Sequence, residues 1–192
     1  MYKIGFFQIS TRLAKGVFRH VKEKGKGKTY YDTSDPTPNQ QGVPDLIKVL
    51  LKSLIDVFSV NENEALFYAS YLDKNINNLR KTLRIRQLII ECAKVLAKNV
   101  SSRVDLHATR FSGSFTSEKE ILVPSFDVHC LRATGAGDAW NAGNILGEAL
   151  GLRDSCRLTL ANAVAACYIS NPSGKHPTLI ELMEFLHKHQ PT

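Results

Sequence analysis

Short extended runs alternate with helical patterns along most of this chain, and that alternation narrows its fold more than any other feature. Tyr2-Lys3-Ile4-Gly5-Phe6-Phe7-Gln8-Ile9 reads as a strand, followed by a helical pattern through Leu13, Val17, Phe18 and Val21 that stops at Gly25. Thr29-Tyr30-Tyr31-Asp32 reads as a second strand, broken at Ser34-Asp35-Pro36-Thr37-Pro38, a loop rich in turn residues. A helix is expected from about Pro44 through Leu54 and a third strand over Asp56–Val60. A long helix then runs from about Asn78, with Leu79, Leu83, Leu88, Cys92, Val95 and Leu96 on one stripe. From Val104 to Val123 the pattern changes to short extended pieces around Gly113, which suggests a hairpin or meander. Three helices close the chain, opening at Gly135-Ala136-Gly137, at Asp154-Ser155 and at Thr178, where Glu181 is placed for a capping box. The expected architecture is α/β: an open, mostly parallel sheet flanked by helices on both faces, with ligands outside the carboxyl ends of the strands. A length of 192 residues, 43% of them hydrophobic, suits a single such domain over 1–192 and is short for two.

The 25 Lys+Arg against 18 Asp+Glu give a net charge of +7, which suits an anionic ligand such as a nucleotide. The excess concentrates between Arg12 and Lys28 and from Arg80 to Arg86, where amphipathic helices are expected. It therefore reads as solvated helix faces rather than as a nucleic-acid stripe. Cys92, Cys130, Cys156 and Cys167 form no C-x-x-C and have no His at metal-ligand spacing, so they read as reduced thiols. No apolar run is long enough for a membrane span and the N-terminus lacks the order of a signal peptide, so the expected location is the cytoplasm.

The chemistry concentrates at Thr134-Gly135-Ala136-Gly137-Asp138. The first amides of a helix have no intrahelical partner and lie at the positive end of its dipole, so a glycine-rich mouth lets an anion reach bare N–H groups. Asp138 stands beside those amides as a candidate base for a hydroxyl proton, the division of labour that phosphoryl transfer needs. An ordinary glycine turn with a helix-capping Asp is the alternative. Asn61 and Glu64, in Asn61-Glu62-Asn63-Glu64, read on their own as a helix N-cap with an acidic first turn.

Ala133-Thr134-Gly135-Ala136-Gly137-Asp138-Ala139-Trp140-Asn141-Ala142-Gly143 resembles the C-terminal signature of the PfkB, or ribokinase-like, family of carbohydrate and nucleoside kinases. Three further pieces follow that family's order. Asp32-Thr33-Ser34-Asp35-Pro36 resembles its Asp-Pro turn, Asn61-Glu62-Asn63-Glu64 its N-x-x-E motif, and Ala161-Asn162-Ala163-Val164-Ala165-Ala166 the helix flanking the adenine. The resemblance implies a ribokinase-like fold and an ATP-dependent, Mg2+-assisted kinase acting on a hydroxyl of a sugar or nucleoside. Asp138 is then the catalytic base, and the amides of Gly135, Ala136 and Gly137 are the anion hole. Asn61 and Glu64 organise the magnesium-water shell, Glu64 through water, while Thr134, Asn162 and His176 approach the nucleotide.

The resemblance also implies departures. It covers only the C-terminal portion of a typical member, so the N-terminal sugar-binding segment and the small β lid are expected to be lacking. That leaves a non-catalytic nucleotide-binding remnant or kinase subunit as the alternative function. The exposed edge this implies favours a homodimer. Arg132 stands where many relatives carry an Asp that helps to hold a monovalent cation, and its guanidinium is expected to take that cation's place. The strand that usually ends in a Thr-x-Gly nucleotide loop reads Asp105-Leu106-His107-Ala108-Thr109-Arg110 here; His107 either meets a phosphate or is packed. Lys175 and His176 fall in a loop that the family uses near adenine.

Overall fold

The computed structural model describes residues 3–25 and 27–191; Tyr2, the first residue of the expected opening strand, lies outside them. The chain forms two compact units, Met1–Leu106 with Phe115–Lys119, and His107–Ser114 with Glu120–Thr192.

The first unit opens with helix α1 (Lys3–Lys24). The strand expected over the start of this segment is helical instead. Ser10-Thr11-Arg12 contains neither Gly nor Pro, and once a helix is nucleated each further residue adds a hydrogen bond with little obstacle. Strand β1 (Tyr30–Asp32) pairs in parallel with β2 (Val57–Asn61), Tyr30 opposite Val57 and Asp32 opposite Ser59. Thr29 and Asp56 pin the start of that pair: the Thr29 N–H donates to Asp56 Oδ2 (2.8 Å) and the Asp56 N–H to Thr29 Oγ1 (2.9 Å). Lys22 forms an ion pair with Asp56. Val57, Phe58, Ser59 and Val60 are all buried, as in a strand covered on both faces.

Between these strands the chain winds through a 3-10 helix (Thr37–Gly42), the short α2 (Val43–Asp45) and a π-helical turn (Leu46–Leu51). After β2 come α3 (Glu62–Leu72), α4 (Ile76–Thr82), α5 (Ile85–Asn99) and β3 (Arg103–His107). The single long helix expected from Asn78 is thus two. The Leu79 carbonyl accepts both the Leu83 N–H (2.9 Å) and the Thr82 hydroxyl (3.3 Å), which closes the last turn of α4, and Leu83 and Arg84 are extended. Helix α5 buries Leu88, Ile89, Cys92, Ala93 and Leu96, and α3 packs against it. Within this unit the strand order is β1-β2-β3.

Strand β4 (Phe111–Phe115), which lies in the second unit up to Ser114, neighbours β5 (Glu120–Pro124) of the same unit. The link between them is closed by the Thr116 N–H donating to the Lys119 carbonyl (2.8 Å), too short for a parallel crossover, so this pair is antiparallel. The strand pairings are therefore mixed rather than mostly parallel. Helices α6 (Ala136–Ala149), α7 (Asp154–Ser170) and α8 (Leu179–Lys188) follow. Helices α6 and α7 pack closely because Gly143 and Gly147 present no side chain: a Cβ on Gly143 would lie 2.8 Å from the Ala161 Cα, and one on Gly147 2.9 Å from the Arg157 Cγ. Phe126, Ala139, Ala163, Val164, Ala166 and Leu182 form one core cluster, and Val123, Trp140, Leu158 and Ala161 another. Thr178 and Glu181 make the expected capping box at α8. Among the described residues no helix is long and apolar enough to cross a membrane.

Candidate active site

In the second unit the mouth of α6 is shaped by Gly135, which caps the helix at φ 87°, ψ 0°. This left-handed conformation disfavours any side chain, and a Cβ there would also lie 2.5 Å from the Tyr168 hydroxyl. The Ala136 N–H closes a turn on the Ala133 carbonyl (3.1 Å), and the Ala139 N–H begins the helical ladder on Gly135 (2.9 Å). Of the three amides read from sequence as an anion hole, the middle one is thus used to build the turn. The amides of Gly137 and Asp138 belong to the first helical turn, which offers them no intrahelical acceptor. The Asp138 side chain is exposed, and Thr134 is exposed beside the turn.

Two pairs of rings flank this mouth. His107 stacks on Trp140 with centroids 5.0 Å apart, and its Cε1 lies 3.2 Å from where a Gly137 Cβ would be. His107 is therefore packed, and packed directly against the turn. Tyr168 stacks on His176 at 4.9 Å and donates its hydroxyl to the Thr134 carbonyl (3.2 Å). Asn162 is buried, with both ends of its amide engaged: Trp140 Nε1 donates to its Oδ1 (2.8 Å), and its Nδ2 donates to the Pro124 carbonyl (2.9 Å). The Arg132 guanidinium donates to the Pro172 carbonyl (2.8 Å) and lies hard against Gly174, whose φ is 64°. A Cβ at Gly174 would fall 1.9 Å from Arg132 Nη1.

In the first unit, Asn61 and Glu64 form a capping box at α3. Asn61 Oδ1 accepts from the N–H groups of Asn63 (2.9 Å) and Glu64 (3.0 Å), and Glu64 Oε2 accepts from the Asn61 N–H (2.9 Å). They line a cleft of about 870 Å³ together with Asp35, Gln40, Tyr71 and Arg80. Burial pushes the Glu64 carboxyl up to about 7; the Asn61 N–H opposes the rise, and the charges of Asp32 and Asp35 add to it. A folded-state value above the ordinary 4.5 means that the native state holds this proton more tightly than the unfolded chain. Its contribution to stability is complete below pH 4.5 and is lost as pH rises through about 7. Glu64→Gln keeps an acceptor for the Asn61 N–H without the charge. Thermal melts at pH 5 and pH 8 should therefore show a smaller pH-dependent fall in Tm for Glu64→Gln than for the wild type; equal falls would contradict this.

The sequence profile of the pfkB family carbohydrate kinase matches residues 9–180. The chain belongs to that family. A search of curated protein sequences finds no significant match. Among solved structures, the PfkB chain resembles adenosine kinase from Sinorhizobium meliloti (TM-score 0.68, 17% identity, 92% of this chain and 49% of that one). It also resembles aminoimidazole riboside kinase from Salmonella enterica (TM-score 0.66, 21% identity, 90% and 55%). A third is an E. coli protein assigned as ribokinase II, solved in complex with ATP and Mg2+ (TM-score 0.65, 19% identity, 90% and 52%). These likenesses establish the ribokinase-like α/β fold, and the chain spans about half the length of the structures it matches.

On this PfkB scaffold, Gly135, Ala136, Gly137, Asp138 and Thr134 lie together at the mouth of α6, and His176 reaches them through Tyr168. Asn61 and Glu64 lie in the other unit. Sequence reasoning missed Tyr168 and Trp140. The signal for Tyr168 was present: it is a large ring in a helix whose preceding residues, from Ala161 to Cys167, are otherwise small or short.

Proposed function

We propose that this chain supplies the phosphoryl-transfer half of a small-molecule kinase, moving a phosphoryl group from ATP to a hydroxyl of a sugar or nucleoside. The observation that carries the reading is the left-handed Gly135, which opens α6 at a first turn whose amides have no intrahelical acceptor, beside an exposed carboxylate, Asp138. Asp138 accepts the proton as the hydroxyl attacks, and the amides of Gly135 and Gly137 hold the charge that builds on the transferred group. The Ala136 amide keeps the turn closed. Thr134 and His176 meet the nucleotide, and Asn162 serves by fixing Trp140. Asn61 and Glu64 suit the waters around Mg2+, since that ion keeps much of its hydration shell and takes few protein ligands. The coupling of Glu64 to the charges of Asp32 and Asp35 fits a cation there. When bound, Mg2+ neutralises charge on the phosphates. A second reading, a nucleotide-binding part without an acceptor site of its own, is favoured by the chain's span of about half its solved relatives.

Calorimetric titration of MgATP, followed by an assay of ADP formation with a panel of sugars and nucleosides, tests the proposal. Binding with transfer supports the first reading and binding without transfer the second; no binding would overturn both. Arg132 adds a further expectation. Its guanidinium is a fixed cation tied to Pro172, so potassium should change turnover by less than about twofold. Strong stimulation by potassium would contradict this.

A further inference from the structure

We infer that Tyr168 is a positioning residue for the phosphate-holding turn, and that His176 couples the 171–177 loop to that turn through it. The inference rests on the reading of the α6 mouth as the phosphate site. A peptide group is planar and trans, so its C=O and N–H point in opposite directions. The Tyr168 hydroxyl donates to the Thr134 carbonyl (3.2 Å), and this fixes the peptide plane whose other end is the Gly135 N–H. Holding the carbonyl on one side aims that N–H to the other. The same hydroxyl occupies the space beside Gly135, 2.5 Å from any Cβ there, so hydroxyl and glycine fit as a pair.

The ring itself is anchored. One part packs against the cluster containing Phe126, Ala139 and Leu182, and its face is covered by His176 at 4.9 Å with an interplanar angle of 27°. The loop that carries His176 is held in turn: the Gly174 N–H donates to the Asn171 carbonyl (3.1 Å), and Arg132 donates to Pro172. A ligand that orders this loop therefore acts on the Gly135 peptide through one ring and one hydrogen bond.

Tyr168→Phe removes the hydroxyl and keeps the ring stack. Its expected effects are a fall in kcat of about tenfold with KM for MgATP changed less than about threefold, because a misaimed donor loses most where charge builds in the transition state. The Thr134–Gly135 peptide is the middle of the turn that the Ala136 N–H closes on Ala133, so amide exchange at Ala136 should quicken by about fivefold or more while exchange in the middle of α6 and Tm stay near wild type. His176→Ala, which keeps the hydroxyl, should give a smaller change of the same kind at Ala136. The exchange arm needs no activity. If the wild type binds no MgATP, the kinase reading fails by itself, and Ala136 exchange alone decides whether Tyr168 holds the turn. Unchanged Ala136 exchange in Tyr168→Phe overturns the inference, as does an unchanged kcat in a protein whose wild type transfers phosphate.

Discussion

Asp138→Asn is expected to lower phosphoryl transfer by about 10²–10⁴-fold, the usual contribution of a positioned general base. Asparagine keeps the shape of the side chain but cannot take the hydroxyl proton. Nucleotide affinity should hold or tighten, because the variant removes a negative charge from the first turn of α6, beside the amides proposed to meet phosphate. The same charge favours the helix dipole, so the variant should also lose stability, by about 0.3–1 kcal/mol. Steady-state transfer rates, MgATP calorimetry and a thermal melt read the three effects separately. Transfer within tenfold of wild type would place the base elsewhere.

Arg157→Leu is expected to destabilise the protein by about 3 kcal/mol, the lower end of the cost of breaking a buried charged network from one side. Arg157 is 1% exposed where α7 crosses α6. Its guanidinium bonds to Asn144, to Ser114 Oγ (3.2 Å) and to Asp154 Oδ1 (3.2 Å), with Glu148 Oε2 at 3.7 Å. The two carboxylates are partly exposed and can return to water, but the fully buried Asn144 cannot. The buried Asn144 Oδ1 loses its guanidinium donor, and this carries much of the cost. A thermal melt should show Tm lower by about 6–12 °C. Arg157→Leu with Asn144→Leu should recover part of the loss, since both polar partners then go together. Arg157→Leu within 2 °C of wild type would mean that the network contributes little.

Much of this was legible in the sequence where local chemistry decides the outcome. The capping boxes at Asn61 and Thr178 and the glycine mouth of α6 follow from residue types at fixed spacing. The strand expected over Tyr2–Ile9 is helical from Lys3 because a β-branched and aromatic run without a turn behind it carries no signal to stop a helix. The break at Leu83-Arg84 was hidden because neither Gly nor Pro marks it. The commitment of Asn162 to Trp140 and of Arg132 to Pro172 depends on residues 22 and 40 positions away, beyond any pattern readable along the chain. Both concern how the site is held rather than which residues form it.

The central claim is that the mouth of α6 is where phosphate binds, and amide-resolved NMR of this 21.4 kDa chain during MgATP titration tests it most directly. The largest shifts are expected at the amides of Gly135, Gly137 and Asp138, saturating together and followed by smaller changes at Tyr168 and His176. Saturable MgATP binding that leaves those three amides unmoved would contradict it.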